Sequence, residues 1–471
     1  MFFAEVFQPF IDESPVSVMF RGTLEKVFAS ERLDQIFKDS AERQYDHELA
    51  FSMCAELLSL VVLRTEKSVH AAYRARKKQI AVSVQSVYQK LAGIEAGVSE
   101  ALVRETSREM AQLVEALDAR LPGPLPGFDV RIVDGNHLAG TQHRLKELRN
   151  IGDAPLPGHT LAVLNPHREL IEDVVVCEDG HANQKPLAVQ FLKKVQAGQC
   201  WIADRDYSTM PFLFGIRRQK AYFLVRQHGA LKGQLVGRRR RIGRIKTGVV
   251  FEQKLRLTDD QGKQMFVRRI TVELDTPTRD GDTEIHLLSN LPAKVRARKI
   301  AMAYLSRWSI ETAFAKLTTV LRCELNTLGY PEAALFGFCI ALVTYNAVST
   351  VLAALRVAHP QAASTTSTSA GRTRRRAKFS FYYLADEIAG VWRGMAIAIG
   401  AEHWTATFAG LNPQQMAKRL IWLARRVDVE RFMTNPYGSQ QRRKPKKMTT
   451  RAHHVSTYRL LQNRNQPCKT G

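Results

Sequence analysis

Three residues near position 307 have the types and spacing that phosphate chemistry requires. Tyr304, Arg307 and Glu311 stand at offsets of zero, three and seven. At about 100° per residue they share one narrow stripe of a helix. A carboxylate with an arginine one turn before it can bind a metal ion and hold a phosphate beside it. Arg–Glu pairs at this spacing are also common on solvated helix faces, so the stripe alone does not identify a site.

Two aspartates far upstream give this stripe a chemical context. Asp134 ends a strand predicted from Phe128 to Val133, and Asp204 ends another, predicted from Cys200 to Ala203. Two aspartates and one glutamate can hold two Mg²⁺ ions about 3.5–4 Å apart, the arrangement for in-line attack on a phosphodiester. Taken singly, each aspartate has a simpler interpretation: Asp134 in an Asp-Gly-Asn turn, and Asp204 in a surface ion pair.

The charge of the chain favours a polyanionic partner. Its 471 residues include 69 Lys plus Arg against 45 Asp plus Glu, a formal net charge of +24. Such an excess is typical of proteins that bind nucleic acid or an anionic membrane surface. The basic residues also cluster, at Arg238 to Arg241, Arg372 to Arg376 and Arg442 to Lys447.

Export, membrane insertion and zinc chemistry find little support. The first residues lack the basic segment of a signal peptide. The apolar stretch from Ala333 to Ala358 is interrupted by polar residues, which favours a buried helix over a membrane span. Six cysteines without a CxxC spacing, and histidines without an HExxH spacing, argue against a zinc site and fit a reducing cytoplasm. We therefore expect a cytoplasmic, nucleoid-associated protein with no membrane partner.

Hydrophobic periodicity divides the chain into regions of different character. The proline-rich segment from Leu121 to Gly127 is the clearest boundary. The predicted regions are helices over 1–120, a mixed α/β core over 128–350 with a strand-rich interval at about 220–292, a flexible linker over 359–378, helices over 379–434, and a basic tail over 435–471 that is disordered unless nucleic acid is bound.

Three local strings resemble those of one enzyme family. DGNHLAGTQHRLKELR from Asp134, ADRDYST from Ala203 with the later FLVR from Phe223, and YLSRWSIE from Tyr304 are similar to motifs of bacterial insertion-sequence transposases. These are the DDE enzymes with the YREK signature, the IS-four family. The resemblance covers about residues 20 to 350, with the motifs in the family's order.

The resemblance implies an RNase H-like fold of the retroviral integrase type, with a β-rich insertion. It implies that Asp134, Asp204 and Glu311 bind two Mg²⁺ ions, for which Mn²⁺ can substitute. One ion would activate water or a 3′ hydroxyl, and the other would stabilise the leaving oxygen. Tyr304 and Arg307 would contact DNA phosphate near the cleaved strand.

The chain departs from the signature at one position. The family lysine expected seven residues after Glu311 is Thr318 here. Arg322 follows Tyr304 by 18 residues, about five full turns, so on a continuous helix it could take the lysine's place. Lys316 points about 120° away and is interpreted as a solvated surface residue. Trp308, beside Arg307, is expected to pack in the core.

The implied partners are the double-stranded DNA of the transposon ends and of the target, bound by a homodimer on paired ends. The N-terminal helices would bind the terminal inverted repeats, and the run of Arg238, Arg239, Arg240 and Arg241 would follow DNA near the active site. Two alternatives stay open. One is a catalytically inactive DNA-binding relative, for which Thr318 is the only support, and the other is an RNase H-like nuclease without strand transfer.

Overall fold

The computed structural model describes residues 2–43, 49–138, 145–278, 280–325, 327–364, 378–434 and 454–464, and these form a mixed α/β protein. The helices are α1 (Gln8–Glu13), α2 (Pro15–Val27), α3 (Ser30–Ser40), α4 (Phe51–Val62), α5 (Val69–Ala75), α6 (Val84–Ala92), α7 (Ala96–Ala116), α8 (Gln184–Gln190), α9 (Met210–Arg218), α10 (Ala297–Tyr304), α11 (Trp308–Thr319), α12 (Pro331–Ala358), α13 (Pro360–Ser364), α14 (Phe381–Ala398), α15 (Ala401–Trp404), α16 (Pro413–Ala424) and α17 (Thr457–Arg464). The strands are β1 (Asp129–Leu138), β2 (Ala154–Leu156), β3 (Gly158–Asn165), β4 (Leu170–Cys177), β5 (Gln199–Ala203), β6 (Tyr222–Arg226), β7 (Gln234–Ile245), β8 (Gly248–Thr258), β9 (Gln264–Leu274), β10 (Glu284–Ser289) and β11 (His454–Ser456).

Nine of these strands form one large mixed sheet in the order β4-β3-β1-β5-β6-β10-β9-β8-β7. β1, β5 and β6 are parallel neighbours. β3 and β4 extend the sheet on one side by antiparallel pairing, and the hairpins of β7 to β10 extend it on the other. The mixed α/β architecture predicted from the alternating periods is therefore confirmed.

Both faces of the central strands are buried, and successive strand residues point to opposite sides. Ile132 and Ile202 face a large helical layer. Val133 and Ala203 face a smaller cluster that includes Phe212 of α9. The two layers hold the central strands rigidly from both sides.

The long apolar helix α12 is the centre of the helical layer. Its length and composition would allow it to cross a membrane, but its most apolar window is completely buried inside the protein. Its buried amide Asn346 accepts a hydrogen bond from the N–H of Ile171 and donates one to the carbonyl of Ile171, each of 2.8 Å. The helix is therefore tied to β4 as a core element.

The N-terminal helices share this core. α2, α4 and α7 pack on α12, and α7 also packs on β4. In the proline-rich segment, the N–H of Leu121 donates to the carbonyl of His167 at 2.7 Å, and Leu125 is buried. The segment turns the chain between packed elements, and it does not separate two independent hydrophobic cores.

The strand-rich interval begins later than the sequence suggested. β6 lies within the interval predicted to start at about 220, yet it pairs in parallel with β5 in the core. The inserted hairpins therefore start after Arg226. The arginine run was placed between strands, but it lies within β7, the edge strand of the sheet.

The linker and the tail differ from their predictions where they are described. Pro360–Ser364 forms a short helix, and residues 365–377, with the basic run at Arg372 to Arg376, lie outside the described residues. In the tail predicted to be disordered, β11 pairs in parallel with β2, and α17 follows. Asp179 accepts hydrogen bonds from Ser456 at 2.7 Å and Arg459 at 2.8 Å, which explains the order of this short piece. Arg442 to Lys447 lie outside the described residues.

Candidate active site

The two aspartates occupy equivalent positions on neighbouring parallel strands. Val133 of β1 is aligned with Ala203 of β5, so Asp134 and Asp204 follow at the same level. Parallel strands lie about 4.8 Å apart, and alternation turns both side chains toward the helical layer. β1 continues to Leu138 through its pairing with β3, so Asp134 marks the end of the parallel pairing and not, as predicted, the end of the strand.

The helical stripe meets these carboxylates. The Tyr304 hydroxyl donates to Oδ1 of Asp204 at 3.3 Å. Nη1 of Arg307 donates to Oδ2 of Asp134 at 2.7 Å, and Nη2 lies 2.6 Å from Oε1 of Glu311. Each residue of the stripe therefore touches an aspartate or is linked to one through Arg307, although the chain separates Arg307 from Asp134 by 173 positions.

Burial dominates the electrostatics of this cluster. The Arg307 side chain is 8% exposed, and that of Asp134 is 18% exposed. Burial raises the pKa of Asp134 to about 6, with Asp204 and Glu311 adding to the effect, while Arg307 and the N–H of Gly135 oppose it. Burial by itself would lower the pKa of Arg307, but the surrounding acidic groups have the larger effect, and the pKa of Arg307 is raised.

Tyr207 is a residue of the site that sequence reasoning missed. Its side chain is buried, and its hydroxyl has no hydrogen-bond partner among the described residues. Burial, with the nearby charges of Asp134, Asp206 and Asp204, raises its pKa well above the usual value. The residue stands within the ADRDYST string, but an isolated tyrosine carries no spacing signal that would have singled it out.

The carboxylate oxygens are ligands of the kind that a hard divalent metal ion prefers. In this conformation the guanidinium of Arg307 lies between two of them. Mg²⁺ prefers carboxylate oxygens, and Asp134, Asp204 and Glu311 supply them. Among the described residues, no three His, Cys, Asp or Glu side chains are gathered closely enough to hold a metal ion. The guanidinium between Asp134 and Glu311 supplies the positive charge that these two carboxylates require.

Comparison with known proteins agrees with this geometry. Residues 126–347 match the family model of the transposase DDE domain. The matched segment contains both aspartates and Glu311, and it supports a DDE transposase that acts in transposition and DNA recombination. Such a domain implies DNA as a partner, and the large mixed sheet fits its RNase H-like core. No curated protein matches the chain.

Within the transposase domain, the proposed substitute for the signature lysine lies elsewhere. The helix was expected to continue from Tyr304 to Arg322, but a 3₁₀ turn at Leu305–Arg307 separates α10 from α11, and α11 ends at Thr319. Arg322 instead donates to the carbonyl of Lys67 at 2.8 Å. The interpretation that Arg322 extends the catalytic stripe was therefore wrong. Thr318 is exposed, and its hydroxyl donates to carbonyls of its own helix.

Two neighbours of the stripe also differ from expectation. Trp308 was expected in the core, but it is 58% exposed, with the guanidinium carbon of Arg307 5.1 Å from its ring centroid. Lys316 was interpreted as a solvated lysine, but its ammonium lies 5.0 Å from the ring centroid of Phe381 and 5.6 Å from that of Tyr345. Burial lowers the pKa of Lys316. It holds α11 against α12 and α14.

The arginine run lies on β7, the edge strand of the sheet. In the hydrogen-bonded order of the sheet, five strand-to-strand steps separate β5 from β7. Arg238, Arg240 and Arg241 are exposed. Nη2 of Arg239 forms ion pairs with Oε1 of Glu273 at 2.5 Å and Oε1 of Glu284 at 3.1 Å. The run is thus on the surface, and part of its charge is already neutralised.

Proposed function

We propose that the chain is an insertion-sequence transposase of the IS-four type. It binds the terminal inverted repeats of its element, cleaves the ends and joins the 3′ hydroxyls to target DNA. The observation that carries this proposal is the level placement of Asp134 and Asp204 on parallel strands, with Glu311 linked to Asp134 through Arg307. Carboxylates on a rigid sheet and an adjoining helix meet the positional demands of phosphodiester chemistry.

In this proposal, Asp134, Asp204 and Glu311 hold two Mg²⁺ ions, or Mn²⁺ in their place. When bound, the ions supply activation of the attacking hydroxyl and stabilisation of the leaving oxygen. Arg307 keeps Asp134 and Glu311 in place before metal binding, because its two terminal nitrogens bridge them. Tyr304 orients Asp204 through its hydroxyl. Tyr304 and Arg307 contact DNA phosphate once the carboxylates bind metal.

The same proposal extends to the assembly and its setting. The N-terminal helices bind the inverted repeats, and two copies act on paired ends. The arginine run from Arg238 to Arg241 contacts DNA on the outer edge of the sheet, and the protein works on chromosomal DNA in the cytoplasm. The high positive charge of the chain supports this, since phosphate contacts dominate DNA affinity.

The test is a cleavage assay with Mg²⁺ and a duplex that carries the DNA flanking the gene. Asp134→Asn, Asp204→Asn and Glu311→Gln should each lower the cleavage rate by about a thousandfold or more, because metal stabilisation amounts to several kcal/mol. Isothermal titration with Mg²⁺ alone should show weaker binding for each variant. Asp206→Asn is the matched control, since Asp206 is exposed two positions after Asp204.

The outcomes separate the alternatives. If the three variants cut as well as the parent, the assignment of the carboxylates is wrong. Cleavage without joining to a target plasmid would indicate a nuclease. Binding to DNA with no cleavage by the parent would indicate a catalytically inactive relative.

A further inference from the structure

A group of cations near the candidate active site has no partner among the residues that the structure describes. Lys294, Arg296, Arg298 and Lys299 belong to α10 or the loop just before it, and all four are exposed. No side chain or carbonyl of the described residues forms an ion pair or hydrogen bond with any of these four side chains. Four like charges within six positions repel one another, so an external anion is attracted here without having to displace a carboxylate of the described residues.

α10 presents these charges on one side because its other side is buried. Ala297, Ile300, Ala301 and Tyr304 face the sheet at helical spacing, and α10 packs across β6, β7, β8 and β9. The exposed side carries Arg298, Lys299 and Met302. The stem of Arg298 passes over Gly243 of β7, where a Cβ would lie 3.3 Å from its Cδ.

The C-terminal end of α10 lies next to the candidate carboxylates. The helix begins over β7 and ends at Tyr304, whose hydroxyl binds Asp204. Its eight residues rise by about 12 Å. That length corresponds to about three or four base-pair steps of duplex DNA.

We propose that Lys294, Arg296, Arg298 and Lys299 form the phosphate-binding track that leads duplex DNA into the active site. The partner is the DNA backbone, because its regularly spaced negative charges match a row of unpaired cations. The track rests on the proposed function and deepens it. The sequence analysis placed DNA contacts on β7, and the track adds further DNA contacts at the start of α10.

Two arginines of β7 provide a contrast with the cations of α10, whereas Arg238 and Arg241 of the same strand are exposed and form no ion pair among the described residues. Arg239 pairs with Glu273 and Glu284, and Arg244 lies 2.6 Å from Asp275. A phosphate that bound either arginine would have to compete with a carboxylate. The cations of α10 have no such competitor among the described residues, so their phosphate contacts are gained in full.

The experiment measures how salt changes DNA affinity. The full-length protein is titrated with a short random-sequence duplex in fluorescence anisotropy at about 50 to 200 mM KCl. Each phosphate contact contributes about 0.9 to the slope of log K against log salt. The double variant Arg298→Ala with Lys299→Ala should therefore reduce the slope by about 2 and weaken binding to all sequences alike.

Two controls make the result specific. Met302→Ser changes the same side of α10 without removing a charge and should leave the slope unchanged. Arg239→Ala with Arg244→Ala removes two paired charges and should change the slope by less than about 1. Thermal melting of each variant establishes that it is folded.

The results have distinct meanings. A parental slope in the α10 variant, or an equal or larger loss in the β7 variant, would overturn the track and leave the transposase proposal intact. A parent that binds duplex DNA without any salt dependence would contradict the proposed function itself.

Discussion

Two arginines of this protein are each held between two carboxylates, one in the candidate active site and one in the hairpins of β7 to β10. Arg307 bridges Asp134 and Glu311 and is 8% exposed. Arg239 bridges Glu273 and Glu284 and is 35% exposed. Each guanidinium binds two carboxylates, so burial is the main difference.

The comparison shows that burial, more than pairing, sets the energetic weight of such a cluster. At the surface, water solvates each charge, and an ion pair contributes little. In the interior, each charge has lost its water and depends on its partner. The raised pKa of Asp134 is the sign of that dependence, since burial outweighs even a direct contact with Arg307.

The largest expected difference concerns stability. In metal-free buffer, Arg307→Ala should lower the free energy of unfolding by about 3–5 kcal/mol, because it leaves the mostly buried carboxylate of Asp134 without its partner. Arg239→Ala should lower it by no more than about 1 kcal/mol. Denaturant titrations measure both values. Equal losses for the two variants would break the comparison.

The next effect concerns pH. Because the pKa of Asp134 is raised to about 6 in the folded protein, from a usual value near 3.9, the fold binds this proton more tightly than the unfolded chain. Protonation of Asp134 therefore stabilises the folded state fully below about pH 4, and this stabilisation is lost as pH rises through about 6. We expect a loss of about 2–3 kcal/mol across this range.

The measurement is the free energy of unfolding of the metal-free parent minus that of Asp134→Asn, followed from about pH 4 to 7. The difference should fall as pH rises, because the asparagine variant lacks this titration. A difference that stays constant, or that rises with pH, would contradict the burial argument.

The smallest expected effect concerns Arg239, the more exposed of the two arginines. The guanidinium carbon of Arg239 lies 4.1 Å from the centroid of the Phe251 ring. A double-mutant cycle between Arg239→Ala and Phe251→Leu should give a coupling of about 0.5–1 kcal/mol, the usual value for an exposed cation–π contact. A coupling above that of the Arg307 cluster would show that burial is not the deciding factor.

Local sequence patterns were sufficient to find the three candidate carboxylates. Val130, Ile132 and the other apolar residues before Asp134 alternate with the period of a strand, and Tyr304 and Glu311 share a helical stripe. These signals arise from the geometry of short segments, so they are visible without a fold. Because α11 ends at Thr319, the same reasoning extended the stripe too far when it included Arg322.

The alternation of strands and helices, the positions of Asp134, Asp204 and Glu311, and the excess of positive charge follow from the amino-acid sequence alone. The folded structure was needed to show that Arg307 binds Asp134, that Trp308 is exposed, and that Arg239 is neutralised by carboxylates. Periodicity depends on neighbouring residues and can be recognised within a short window. Ion pairing and exposure depend on groups that are distant in the chain, and folding alone brings these together.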